Sequence, residues 1–330
     1  MTQAETTGPA SGPGNTLRGV LWAALSVAIF SGWFVVTRFS VAQAGGVSTL
    51  TVWDITVLRF GVGAVILLPV LLAPWLIRGR RRLPPGAGRE GLLFAVLWGA
   101  PFVLLIALGL QLTSAGRAAA VTPTMMPVFA GLFGWLLLGD RPGRLRLAGY
   151  AAIAAGLLGL ILAGAGLHGM RAVAGFAAML GAAALWAIYT LRFRRSGLTA
   201  LQSAALICVW SALLVVPGYL ILGLGQLQAA PLQEVLVQAG YQGVLMSVVA
   251  VITFNRAIAL LGPAAATAMI ALIPVTASLL AFLVLGETLN PVEIAAVLVI
   301  VAGVLLASRS PASGTTADLS SPRPRNEASR

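Results

Sequence analysis

The sequence predicts an all-α integral membrane protein whose ten transmembrane helices form two inverted five-helix repeats. Three observations predict it. The 330 residues are 59% hydrophobic and only 9% charged, the arginines gather in alternate connections between apolar blocks, and a motif recurs at constant spacing in the two halves. A soluble domain carries about a quarter charged residues, so the composition argues against a water-soluble enzyme.

The apolar blocks run to roughly 18–25 residues, enough at 1.5 Å per residue to cross a hydrocarbon core of about 30 Å. In order they fall at 19–37, 51–73, 91–110, 116–138 and 147–165, then at 172–191, 199–223, 236–258, 263–285 and 291–308. Residues 1–17 and 309–330, rich in Pro, Ser, Thr, Gly and Ala, read as disordered tails. The repeats between them occupy 18–166 and 167–308, leaving no room for a soluble domain. Ala42-Gln43-Ala44 after the first block has the look of a signal-peptide cleavage site. The block is longer than a signal core and carries a motif that recurs later, so we read it as a retained span.

The net charge of +12 comes from arginine alone, because the chain has no lysine. With both termini cytoplasmic, seventeen arginines fall on the inner side, among them Arg18, Arg78, Arg82, Arg141, Arg192, Arg256 and Arg309. Only Arg38, Arg117 and Arg171 fall outside. The positive-inside rule accounts for this pattern and places the protein in the cytoplasmic membrane; nucleic-acid binding does not account for it. Cys208 is the only cysteine, which excludes an internal disulfide and a thiolate metal cluster. His168 has no neighbouring ligand set. No metal and no cofactor are expected, and without lysine no Gly-x-x-x-x-Gly-Lys-Ser/Thr loop can bind ATP. The expected partners are the lipid bilayer and a small-molecule substrate, with the chain a monomer or weak homo-oligomer.

Ala118, Thr124, Pro127, Leu138-Gly139-Asp140 and Gly156 have counterparts 147 residues later, in Ala265, Ala271, Pro274, Leu285-Gly286-Glu287 and Gly303. Trp33 and Thr37-Arg38-Phe39 are echoed by Trp186 and Thr190-Leu191-Arg192-Phe193. Five is odd, so the second unit enters the membrane with opposite orientation. Inverted repeats of this kind mark carriers that open to either side of a midplane site.

These residues resemble the drug/metabolite transporter superfamily, and within it the ten-span EamA-like permeases. The likeness rests on Thr113-Ser114-Ala115-Gly116-Arg117-Ala118-Ala119-Ala120 leading to Pro127 and Leu137-Leu138-Gly139-Asp140-Arg141. A second copy runs from Ala264-Ala265-Ala266 to Pro274 and Leu285-Gly286-Glu287, and Ser31-Gly32-Trp33 and Leu58-Arg59-Phe60 add to it. It covers residues 19–308. Asp140 stands where the family usually has Glu. The resemblance implies secondary transport of a small metabolite, often export of amino acids or toxic compounds, and leaves the cargo open. An importer of the same architecture is the nearest rival. An intramembrane enzyme would need paired buried carboxylates or a nucleophile with its base, and none is visible.

Arg59 lies well inside a span, at a cost of about 2.5–3.5 kcal/mol on insertion scales. Either it lines a wet cavity and binds a substrate carboxylate, or it forms a structural ion pair. Asp54, near the outer end of the same span, reads as a partner of Arg38 or Arg59 or as a proton carrier. Trp33, Trp98 and Trp186 are candidates for an amphipathic cavity wall, with Thr37, Thr124, Thr190 and Asn255 supplying hydrogen bonds. Tyr189 reads as an interfacial anchor. Pro127 and Pro274 lie mid-span, where each removes a backbone hydrogen bond and makes a kink or hinge. Ala115/Ala119 and Ala264/Ala268 have small-xxx-small spacing for close helix approach. Asn290-Pro291-Val292-Glu293 reads as an N-cap, a first-turn Pro and a capping acid. The inverted repeat makes a direct prediction: cysteines introduced after Gly139 and after Gly286 should be labelled from opposite sides of the membrane.

Overall fold

In a computed structural model, the described residues are 13–41, 49–76, 82–139, 141–261, 269 and 271–308. Side chains of 13–14, 73–76, 138 and 164–168 are not among them. Asp140, Ala42-Gln43-Ala44, Ala264 to Ala268, most of both tails and the side chain of His168 therefore lie outside the described residues.

Nine described helices are long and apolar enough to span a bilayer. In chain order the first repeat supplies α1 (Pro13–Val41), α2 (Val52–Leu76), α3 (Ala87–Leu112), α4 (Ala115–Leu138) and α5 (Arg144–Ala163). The second supplies α6 (Gly169–Phe193), α7 (Ala200–Leu222), α8 (Leu232–Leu261), the shorter α9 (Ile273–Leu285) and α10 (Pro291–Ser308). These correspond to the ten expected blocks, except that the ninth, expected at 263–285, is described as helix only from Ile273. The first begins earlier than expected, at Pro13, so part of the supposed N-terminal tail is helix. Leucines and isoleucines on the outer faces, such as Leu137, Ile221 and Leu283, stand exposed; on a bundle of this kind that surface suits lipid.

The helix ends follow from local chemistry. Ser114 caps α4 by accepting from the Arg117 N–H, and Thr199 and Gln202 form a reciprocal capping box at α7. At α10 the expected cap is present: Asn290 Oδ1 accepts from the Glu293 N–H at 2.9 Å, and Glu293 Oε2 from the Asn290 N–H at 2.9 Å. The repeat is visible in the backbone itself. Gly139 (φ 74°) ends α4 and Gly286 (φ 66°) ends α9, each returning its N–H to carbonyls of the last turn in the left-handed conformation that glycine tolerates. Helices α5 and α6 are two separate spans joined across a kink at Gly169, whose backbone (φ 61°, ψ −151°) is not helical.

Orientation follows from one contact. The Ala115 N–H, at the start of α4, donates to Glu287 Oε2 at 2.8 Å, so Gly286 lies at the end of the bundle where α4 begins. Gly139 lies at the far end of that 24-residue helix, about 36 Å away at 1.5 Å per residue. The two related turns therefore sit at opposite ends, as an inverted repeat requires.

Each repeat lends its first helix to the other. α1 is tied to α8 by Ser26 Oγ donating to Thr253 Oγ1 (2.7 Å) and by the Tyr241 hydroxyl donating to Ile29 O (2.9 Å), and to α9 by Ser31 Oγ donating to Ile273 O (3.4 Å). α6 packs reciprocally on α3 and α4, with Gly109 and Gly175 at its closest crossing and Thr122 Oγ1 donating to Met179 O. α5 and α10 cross through Gly149, Gly156 and Gly303; a Cβ on Gly303 would come within 2.8 Å of Gly149 O and 2.9 Å of the Ile153 N. Backbone cannot yield as a side chain can. Gly303→Val should therefore destabilise the protein by about 1–3 kcal/mol, whereas Gly134→Ala, with nothing within 4 Å, should stay within about 0.5 kcal/mol; thermal unfolding of the detergent-solubilised proteins reads both.

Candidate functional site

Three local irregularities build an aromatic chamber between the repeats. The first is the break in α3 at Gly99, which separates Ala87–Trp98 from Ala100–Leu112. A Cβ there would meet Ser211 Oγ at 2.1 Å and Ala95 O at 2.3 Å, so the site demands glycine, and Pro101 restarts the helix in its first turn. The Ala100 N–H freed by the break donates to Ser211 Oγ of α7 at 3.3 Å. Trp98 and Phe102 flank the break and face the same space.

The second is a π-helical stretch of α8, Ala239–Val249, of a kind that often marks functional sites. It carries Gln242, whose Oε1 accepts from Trp33 Nε1 at 2.9 Å and whose Nε2 donates to Thr37 Oγ1 at 2.8 Å and to Gln238 Oε1 at 3.2 Å. Gln238 Nε2 continues the ladder to Val36 O at 2.6 Å and Ser40 Oγ at 2.8 Å. These buried amides lock the Trp33 indole in place. Sequence reasoning missed both glutamines, although two amides four residues apart inside an apolar span were a usable signal.

The third is α4, which holds Pro123 as well as Pro127 inside the helix. Pro123 lines the chamber beside Thr122.

Arg59 of α2 enters this space with 6% of its surface exposed. Its guanidinium carbon lies 5.0 Å from the Trp33 ring centroid and 5.8 Å from that of Phe60, so ring faces stabilise the charge. No ion pair among the described residues involves Arg59. Its Nε and Nη1 are buried without a hydrogen-bond partner, and so is Trp98 Nε1. Trp186 completes the wall, stacked on Trp98 at 6.0 Å between centroids. The lining comes from α1, α2, α3 and α4 of one repeat and from α6, α8 and α9 of the other. The chamber is contracted, with about 20 Å³ open to the centre of a water molecule.

The structure thus brings together Arg59, Trp33, Trp98 and Trp186. It places the other candidates elsewhere. Thr37 is spoken for by Gln242; Thr124 bonds back to Ala120 O and Val121 O, and Thr190 to Trp186 O, a habit of hydroxyls in helices that keeps them out of a cavity. Asn255 is exposed and bonds Val251 O, in a groove with Thr199 and Arg256. Pro274 is not mid-helix but in the first turn of α9 as described, where a missing N–H costs little. Tyr189 is no interfacial anchor: it is buried, stacks on Trp98 at 4.7 Å and shares a 3.0 Å hydrogen bond with Ser203 Oγ.

Asp54 finds neither arginine as its partner. It is fully buried at the start of α2, where its oxygens accept from the Thr51 N–H and hydroxyl, the Gln226 N–H and, at 2.5 Å, the Tyr219 hydroxyl. Thr51 Oγ1 accepts from the Asp54 N–H in return, so the pair is a capping box that also pins the connection after α7.

Arg38 pairs instead with Glu287 at 2.8 Å and donates to Leu110 O at 2.6 Å. Glu287 bridges Arg38 and the start of α4. Next to it Arg117 of α4 meets Glu293 of α10 at 2.6 Å, both side chains at least nine-tenths buried. This end of the bundle is latched across α1, α3, α4 and α10. At the opposite end the pair is Arg192–Glu90 at 2.7 Å, more exposed, beside a cleft of about 460 Å³.

The chain matches the EamA-like transporter family over residues 17–162 and again over 173–309. A solved structure described only as "Crystal structure of protein" aligns with a TM-score of 0.55 and 20% identity, over 89% of this chain and 95% of that one, a likeness of fold alone. No curated protein matches significantly.

Glu293→Ala would strand a buried guanidinium and remove a helix cap, a loss of about 3–5 kcal/mol. Glu90→Ala at the exposed pair should stay within about 1 kcal/mol. Denaturation followed by circular dichroism in mixed micelles separates the two.

Proposed function

Because the chain belongs to the EamA-like transporter family, a family of multi-pass membrane transporters, we propose that it is a secondary carrier of small organic metabolites, amino acids and related compounds foremost. It exports them across the cytoplasmic membrane by alternating access, as a monomer or weak homo-oligomer with both termini cytoplasmic. In that orientation the Arg38–Glu287 and Arg117–Glu293 latch closes the outer end, and the Arg192 cleft faces the cytoplasm.

The observation that carries the reading is Arg59. A buried cation with two idle donors is expensive in a bilayer, and it stands where both repeats meet. Rocking the repeats would exchange which end is latched while the chamber stays at the junction. A substrate carboxylate reaching Arg59 would gain a charge-assisted bond in a dry site, which links binding to the closing of the aromatic walls. No acid lines the chamber among the described residues, which favours facilitated or exchange transport.

Counterflow in proteoliposomes with labelled amino acids and related acids tests this. The wild type should accumulate a counterflowed solute, and Arg59→Ala should abolish flux while expression and monodispersity persist. A fully active Arg59→Ala protein would overturn the reading.

A further inference from the structure

The chamber is unbalanced in charge and in hydrogen bonding. Its charged group is a cation, and its unpartnered polar atoms, Arg59 Nε and Nη1 and Trp98 Nε1, are all donors, since neither guanidinium nor indole has an acceptor. The Thr122 hydroxyl on the wall donates to Met179 O. The amide oxygens of the α8 ladder are committed, Gln242 to Trp33 and Gln238 to Gln242. The acids of the described chain are committed as well, and none lines the space. Asp54 caps α2, Glu90 pairs with Arg192, Glu234 accepts from Thr49, and Glu287 and Glu293 form the latch. What remains among the described side chains is a positive pole with three idle donors, the Thr122 oxygen its acceptor on the wall, set in a ring of Trp33, Phe102 and Trp186.

We infer that this chamber selects organic monoanions, carboxylates on a flat or branched apolar body without an ammonium group, over the corresponding zwitterions. The inference rests on the transport reading above and narrows its substrate class from amino acids to their ammonium-free relatives. A carboxylate neutralises Arg59 and supplies acceptors to all three idle donors. The apolar body lies against the aromatic faces. An α-ammonium group brings a second positive charge beside Arg59 and three more donors into a space that no described carboxylate lines, so like-charge repulsion and lost hydration oppose what the ring faces offer.

The test is a tryptophan-fluorescence and thermal-shift titration of the purified full-length protein at neutral pH with four probes on one frame. These are 3-phenylpropionate, phenylalanine, 2-phenylethylamine and 3-phenylpropanamide. Saturable binding of 3-phenylpropionate is expected, with phenylalanine at least about tenfold weaker, the difference one well-placed charge-assisted bond makes, and the amine and amide weaker again. Arg59→Gln should lose the anion; Trp98→Phe, which keeps the ring and removes the N–H, should weaken it several-fold and serves on its own if Arg59→Gln is not monodisperse. The inference is overturned if phenylalanine binds as tightly as the anion, if the anion does not saturate, or if its binding survives both substitutions. The two readings fail separately. Counterflow of a zwitterion that outcompetes the anion removes the selectivity and leaves transport standing, whereas Arg59-dependent anion binding without flux of any solute removes transport and leaves the selectivity.

Discussion

A guanidinium buried with no counter-ion among the described residues is the constraint around which this protein is arranged. Arg59 is held on the face of Trp33 rather than against a carboxylate, so its charge is tolerated but not neutralised, and two of its donors stay idle. Trp33 can serve as that surface because Gln242 holds its indole N–H, and Gln242 is in reach because α8 is wound as a π-helix there. The break at Gly99 answers from the other side by presenting Trp98.

The charges the chain does pair are spent at the ends of the bundle, and unequally. Arg117 and Glu293 are buried together, and Glu287 serves both Arg38 and the start of α4. The Arg192–Glu90 pair at the other end lies in a wetter setting, where such contacts contribute little. One end is therefore held by desolvated charges and the other by a weak pair next to a cleft. The exchange of first helices between the repeats gives this asymmetry its reach, since α1 and α6 each wall the chamber and each ends at a latch residue, Arg38 or Arg192.

Much of the architecture was legible without coordinates because lipid imposes it. Span lengths, the alternation of arginines and the recurrence of Leu-Gly-acid at the ends of α4 and α9 depend on local properties of short segments, and the turns at Gly139 and Gly286 repeat even in their left-handed backbone. Arg59 stood out for the same reason, as a charge inside an apolar run. The polar candidates fared differently. Thr37, Thr124 and Thr190 are plausible cavity donors when read as residue types, yet Gln242 takes Thr37, and Thr124 and Thr190 turn to carbonyls one turn back. Asp54 looked like a partner for arginine; nearer partners, Thr51, Tyr219 and Gln226, claimed it first.

By itself the sequence determined that the chain spans a membrane as two related five-helix units, and that one of its spans carries an arginine, because hydropathy, charge and periodicity are written residue by residue along the chain. Only the tertiary structure decided which rings surround that arginine, that α1 and α6 are exchanged between the units, and that Glu287 reaches back to Arg38 and Ala115. Those outcomes join residues up to 249 positions apart, and such pairings are set by how helices pack, which no local pattern records.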